Sequence, residues 1–284
     1  MAIFNITYET ENYYTKPVRQ AVLELMVLPE NSFDQKCLSF DIQNSLDARV
    51  HFSETLYGAR LIRFTIPRKF CFFKVTVKAT VEKQDINPFD RIDLSSISNV
   101  NLLDDDDFKI DHFRNLSVNE LTAPVHEVWP KETIRLKRED LFQYMQRMTA
   151  WVYSTVMYQT GVTTTQTKLD EILQLRAGVC QDHAHLFIGI MRANGIPARY
   201  VSGYLSQGHE FNGDSAMHAW AEAFLPGSGW IGFDPSNNLM ANVNYIKAGH
   251  GLDYTDCMPI RGILVAKGNG STEYSVKVIE QQTQ

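Results

Sequence analysis

The sequence predicts an α+β protein in two parts, an N-terminal β-sandwich and a C-terminal unit of helices packed on an antiparallel sheet. Three observations carry this reading. Runs that alternate apolar and polar residues, separated by turn residues, fill the first part of the chain, and about seven short strands in roughly 85 residues is the spacing of a sandwich. Helical spacing begins near Arg138 and returns after Gly178. Strand patterns follow from Ala198 to the tail.

In the first part, strands are expected within Ala21–Val27, Leu38–Ile42, Ala59–Ile66 and Cys71–Val81. Pro29-Glu-Asn-Ser, Asn44-Ser-Leu-Asp and Pro67-Arg-Lys supply turn chemistry between them. Residues 83–131 read as a connection, broken by Asn87-Pro, Ser95-Ser-Ile-Ser and the aspartates at 104–107, with Phe108, Phe113 and Trp129 able to pin it to a surface. An acidic loop invites a calcium reading. No EF-hand spacing is present, so a solvated loop is expected.

From Arg138 to Tyr158 the apolar positions Leu141, Tyr144, Met145, Met148 and Val152 recur at helical spacing, and Glu139 and Asp140 stand where the helix dipole favours acids. A shorter helix runs from Thr167 to Leu175. Gly178 then turns the chain into the apolar helix that begins at Cys180 and stops at Asn194-Gly195 with Pro197 beyond. Strands are predicted over Ala198–Tyr204, Met217–Leu225 and Gly229–Asp234, and two more in the tail, Gly262–Ala266 and Tyr274–Ile279, which are expected to complete the C-terminal sheet.

The chemistry centres on Arg176-Ala-Gly-Val-Cys180-Gln-Asp-His. A cysteine at a helix N-terminus meets unpaired N–H groups and the positive end of the dipole, which favour the thiolate. A thiolate needs a base and something to orient that base. His218 on one predicted strand and Asp234 at the end of the next supply both, the logic of the Ser-His-Asp triad carried over to sulfur.

Gly178-Val-Cys180-Gln-Asp182, His218-Ala-Trp-Ala-Glu222 and Gly229-Trp-Ile-Gly-Phe-Asp234-Pro closely resemble, in order, the three motifs of the transglutaminase-like superfamily in its bacterial cysteine-peptidase branch. Thr163-Thr-Thr165 and Gly251-Leu-Asp-Tyr-Thr-Asp256 match more loosely, as do Thr7-Tyr-Glu-Thr and Tyr14-Thr-Lys-Pro-Val-Arg with the sandwich that precedes this core in bacterial members. His183 and Cys257 depart from the pattern, standing where an aromatic and a small aliphatic residue are usual. The resemblance implies a papain-like, transglutaminase-like core with a Cys180-His218-Asp234 triad. Expected boundaries are 1–85 for the sandwich, 86–135 for the connection and 136–284 for the catalytic core.

The oxyanion hole is less legible. The backbone N–H of Cys180 is one expected donor. By analogy with papain-like enzymes Gln174 is a candidate for the second, and by analogy with animal transglutaminases Trp151 is another. Trp220 is a candidate pocket residue, and all three tryptophans also suit a core. Glu222 is expected on the His218 face, in the pocket or facing solvent, and Asp182 at the helix N-terminus. His183 and His185, with Cys180, Asp182 or His209, raise a metal alternative, but two residues apart on a helix is about 200° of rotation, so the histidines diverge. No metal and no cofactor is expected.

The expected function is cleavage of an amide, in a peptide or a Gln side chain, through a thioester acyl-enzyme; the partners are a peptide or protein substrate and, if transamidation occurs, an amine acceptor. The alternatives are a protein-glutamine gamma-glutamyltransferase and a non-catalytic binding scaffold on the same fold. The 27 Lys and Arg against 33 Asp and Glu give a net charge of −6, which argues against a broad nucleic-acid surface. Four scattered cysteines favour a reducing compartment. No signal peptide or apolar run of transmembrane length stands out, so a cytoplasmic protein that does not engage membranes is expected.

Overall fold

The computed structural model describes residues 1–93, 100–123, 129–136, 139–206, 211–212 and 216–281. Its first strands are β1 (Ala2–Val18), β2 (Gln20–Leu25), β3 (Gln35–Asn44), β4 (Val50–Glu54), β5 (Arg60–Ile66) and β6 (Phe70–Lys83). Alternation decides their faces. Along β1, Phe4, Ile6 and Tyr8 are buried while the residues between them are half-buried. They meet Leu23, Leu25, Ile62, Phe64, Phe73, Val75 and Val77 in one apolar cluster between two sheets.

The connection forms two short helices, α1 (Asp106–Asp111) and α2 (Phe113–Leu116). Within its acidic run, Asp105 caps α1 by accepting from the Phe108 N–H at 2.9 Å, and Asp106 faces Lys109. The Ser95 run lies outside the described residues.

The C-terminal unit then comprises α3 (Leu141–Thr155), β7 (Met157–Tyr158), α4 (Leu169–Leu175), β8 (Ala177–Gly178), α5 (Cys180–Ala193), β9 (Ala198–Leu205), β10 (His218–Leu225), β11 (Gly229–Asp234), β12 (Leu239–Met240) and β13 (Tyr245–Gly251). Five of these strands form an antiparallel sheet in the order β12-β11-β10-β9-β13. Ala219, Ala221 and Ala223 face α5, where their small side chains let the helix approach, with Phe187, Ile190 and Met191 packed among them. Trp220 and Tyr245 occupy the other face with Val201 and Leu205. The expected Arg138–Tyr158 helix is shorter, ending at Thr155 because β7 peels away to pair in parallel with β8.

The tail corrects an expectation. β14 (Ile260–Val265) and β15 (Gly270–Glu280) join the sandwich, not the five-stranded C-terminal sheet. β15 runs antiparallel to β1 over the register Phe4↔Glu280 to Tyr14↔Gly270, and β14 pairs with β2. The sheets are therefore β15-β1-β6-β3 and β14-β2-β5-β4, and the sandwich is built from both ends of the chain. An alternating strand pattern specifies a strand but not its partner, which is why the tail reads equally well in either sheet.

The two parts interlock. Met26, Ala59 and Leu61 of the sandwich side belong to the C-terminal unit's apolar cluster, and Tyr204, Ile246 and Ala248 belong to the sandwich's. Gln35 clamps the seam, its Nε2 donating to the Lys247 carbonyl at 2.8 Å and its Oε1 accepting from the Lys247 N–H at 2.9 Å. The Tyr204 hydroxyl also reaches across to the Val27 carbonyl.

Candidate active site

Cys180 is the first residue of α5, and the turn before it is tightly built. Arg176 adopts a left-handed conformation at φ 49°, ending α4. The Met157 N–H bonds the Arg176 carbonyl at 2.9 Å, and the Gln159 N–H bonds the Gly178 carbonyl at 2.8 Å, which fixes the approach to the helix. Asp182 closes the first turn. Its Oδ2 accepts from the Val179 N–H and from the Thr163 hydroxyl, both at 2.7 Å. Burial pushes the Asp182 carboxyl up, against these two bonds. Gly178 is required here, since a Cβ at that position would come within 2.6 Å of Asp182 Oδ2 and 2.7 Å of its Cβ.

His218 opens β10, and Asp234 ends β11. Both side chains are fully buried. The imidazole Nε2 donates to Asp234 Oδ2 at 2.8 Å. Nδ1 makes no hydrogen bond of ordinary geometry, and Cys180 and His218 line the same cleft. Burial alone would lower the His218 proton affinity. The Asp234 charge and hydrogen bond outweigh it, with Cys180 adding to the same effect, and raise the imidazole from 6.5 to about 10.

Both Asp234 oxygens are held by protein donors. Oδ2 also accepts from the Asn237 amide and the Tyr245 hydroxyl at 2.8 Å each; Oδ1 accepts from the Ser236 N–H at 3.0 Å and its hydroxyl at 2.6 Å. Burial works against the charged form, but His218 and these donors hold the acid down at about 2. Behind the ring, Trp220 stacks on His218 at 6.2 Å between centroids and an interplanar angle of 25°. Ser236, Asn237 and Tyr245 escaped the sequence reading. The Pro235 turn was a usable signal for the first two, whereas Tyr245 comes from β13, a strand that the sequence reading missed.

The other sequence candidates lie elsewhere. Gln174 is exposed on α4, and neither it nor Trp151, which packs against the helical core, is among the cleft's lining residues. Trp220 supports His218 from the face away from α5 and is not a cleft residue either. Glu222 sits neither in the cleft nor in solvent. Its carboxylate accepts from Lys247 Nζ at 2.9 Å and Arg199 Nε at 2.6 Å, and these cations overcome burial to hold it at about 2. His183 and His185 part as the helix rotation requires. His183 spans the Val179 and Val156 carbonyls, each at 2.9 Å, while His185 Nε2 accepts from the Tyr254 N–H at 3.1 Å. Among the described residues no three His, Cys, Asp or Glu side chains gather as metal ligands. His209 lies outside those residues.

Two family models match the chain, the transglutaminase-like superfamily over residues 129–235 and the bacterial transglutaminase-like N-terminal region over residues 4–82. The chain carries a transglutaminase-like core behind a bacterial transglutaminase-like N-terminal region. The crystal structure of a candidate cysteine protease from Cytophaga hutchinsonii superposes over 100% of this chain and 92% of its own, with a TM-score of 0.80 and 25% identity. An uncharacterized protein of Mycobacterium tuberculosis is 37% identical over 154 residues, 51% of this chain and 49% of the relative, so the match spans about half that relative's length. A Pseudomonas aeruginosa protein-glutamine gamma-glutamyltransferase is 39% identical over 75 residues, 24% of this chain and 11% of that enzyme. No helix among the described residues is long and apolar enough to cross a membrane.

Proposed function

We propose that this transglutaminase-like chain is a cysteine amide hydrolase, a peptidase or protein deamidase, with Cys180 as nucleophile, His218 as acid and base, and Asp234 as the group that orients and charges the imidazole. The observation that carries the reading is the buried His218–Asp234 pair at 2.8 Å, with Cys180 and His218 lining one cleft and Cys180 adding to the charge on the imidazole.

The sulfur of Cys180, paired with the His218 imidazolium, attacks the carbonyl carbon of a peptide or carboxamide. Charge on the oxygen is met by the backbone N–H of Cys180 at the start of α5. As the C–N bond breaks, His218 passes its proton to the departing amine and a thioester remains. Water then attacks the thioester while His218 accepts its proton, and as the C–S bond breaks the Cys180 thiolate leaves, restoring the thiolate–imidazolium pair. The tetrad of donors on Asp234 keeps that carboxylate ionised throughout, so the imidazole alone carries the moving proton. Four free cysteines are consistent with a reducing compartment, and we place the protein in the cytoplasm.

Transamidation is the second reading, favoured by the stretch shared with the Pseudomonas enzyme. The chemistry to the thioester is the same, and a primary amine takes the place of water. One experiment separates the readings. A heat-denatured protein mixture is incubated with the wild-type chain or Cys180→Ala, with and without methylamine, and the products are sequenced by mass spectrometry. New peptide termini or glutamine converted to glutamate, both lost in Cys180→Ala, support hydrolysis. Methylamide at glutamine in preference to glutamate supports transamidation. Identical products from wild type and Cys180→Ala would leave the fold as a binding scaffold.

A further inference from the structure

The cleft that holds Cys180 and His218 is not closed by the transglutaminase-like core alone. Tyr8 of β1, Thr272 and Tyr274 of β15, Ile260 at the start of β14 and Pro259 just before it line it as well. These last strands follow the Asp234 motif in the chain, yet they pair with the N-terminal strands. The sandwich is thereby a wall of the site.

The register explains how it gets there. Tyr8 stands opposite Val276 on β15, and strand periodicity puts Thr272, Tyr274, Val276 and Val278 on one face. Val276 and Val278 pack against the sandwich core. Thr272 and Tyr274 continue that inner face beyond the core and into the cleft. Tyr8 is 2% exposed and Tyr274 is 60% exposed, so the strip ends in an aromatic ring with a free face. Among the cleft's other lining residues are the polar Thr160, Thr165 and Gln181 and the larger Tyr200 and Met217. The cleft encloses about 940 Å³. That is near the top of the range of pockets that enclose a whole drug-sized ligand, more than one carboxamide needs.

We infer that Pro259, Ile260 and Tyr274 form a subsite for a bulky apolar side chain, aromatic or branched aliphatic, of a polypeptide whose amide is delivered to Cys180. The inference rests on the cysteine-hydrolase reading and deepens it by naming the substrate feature selected. Such a side chain covers the free face of Tyr274 and the flank of Ile260, removing apolar surface from water on both partners. Thr160, Thr165 and the unpartnered amide of Gln181, which also line the cleft, offer hydroxyl and amide groups to the extended backbone of the same peptide. Because the subsite is carried by the sandwich and the nucleophile by the core, selectivity and reactivity are separable by mutation.

The test compares alkylation of Cys180 by acetyl-phenylalanyl-glycyl chloromethyl ketone, acetyl-glycyl-glycyl chloromethyl ketone and iodoacetamide, followed by intact mass. Each peptide rate is divided by the iodoacetamide rate of the same variant. Wild type is expected to prefer the phenylalanyl probe by about tenfold, the worth of one well-buried apolar contact. Tyr274→Ala and Ile260→Ser should each bring that ratio close to one, whereas Phe52→Ser, on an exposed site of β4, should leave it unchanged. A ratio near one in wild type, or a preference that survives both subsite substitutions, overturns the inference while leaving the nucleophile assignment intact. Iodoacetamide that fails to select Cys180 over Cys37 and Cys71 instead strikes the cysteine-hydrolase reading itself.

Discussion

At the scale of single residues, the balance between burial and charge at His218 and Asp234 governs what the site can do. A buried imidazole is ordinarily a weak base, and here the adjacent carboxylate reverses that. Asp234→Asn keeps a side chain of the same shape and removes the charge, so alkylation of Cys180 at pH 6 should slow by about tenfold, the equivalent of one unit of proton affinity. Tyr245→Phe removes one of the donors to Asp234 and is expected to cost about 1 kcal/mol in denaturant unfolding, with a smaller loss of reactivity. The pair also imposes a pH dependence on stability. His218 is raised from 6.5 to about 10 in the fold, so its contribution is complete below pH 6.5 and drains away as pH rises to about 10. Asp234 is lowered from 3.8 to about 2, so its contribution is complete above pH 3.8 and is lost as pH falls toward about 2. The stability difference between wild type and His218→Ala should therefore be flat between those two limits and shrink on the alkaline side. An unchanged difference at pH 9.5 by urea titration, roughly the top of the window, would show that the pair is not charged as described. The three triad candidates were legible because residue type, order and spacing all constrain them. Tyr245 was not, because a tyrosine's role is fixed by what lies across the sheet from it.

At the scale of elements, the Cys180 turn is held by local contacts that a sequence can report. Gly178, Asp182 and Thr163 fit together with little room to spare. Gly178→Ala should displace the Asp182 carboxylate, destabilise the protein by about 1–3 kcal/mol and lower Cys180 reactivity together. Normal reactivity in a fully folded Gly178→Ala would show that the cap does not position the Cys180 sulfur. Helix positions were read well because apolar spacing of three and four is an intrinsic property of the segment. Strand partners were read badly for β14 and β15, since pairing depends on residues far away in the chain. The same limit hid the fate of Glu222. Its alternation with His218 and Trp220 was visible, but Lys247 and Arg199, which neutralise it, come from other strands.

At the scale of the whole molecule, the seam between sandwich and core decides how the protein unfolds and what the cleft can hold. Each apolar cluster contains side chains from the other part, and the Gln35 clamp and the Lys247 ion pair with Glu30 add polar ties. One calorimetric transition is expected, not two, with Gln35→Ala lowering its midpoint through a loss of about 1–3 kcal/mol as the Lys247 N–H loses its Gln35 acceptor, while the Lys247 carbonyl keeps the Glu30 N–H. Two separate transitions would mean that the parts fold independently. None of this was visible in the sequence, where the sandwich and the core read as consecutive units.

The reactivity of one sulfur tests the central claim most directly. Wild type, Cys180→Ala and His218→Ala are incubated with iodoacetamide at pH 6, where an ordinary thiol is almost wholly protonated, and the intact mass is followed over time. The paired site predicts rapid single alkylation of wild type, none at that rate in Cys180→Ala, and a marked slowing in His218→Ala. Alkylation of Cys180 no faster than that of an ordinary thiol, or a rate indifferent to loss of His218, would contradict it.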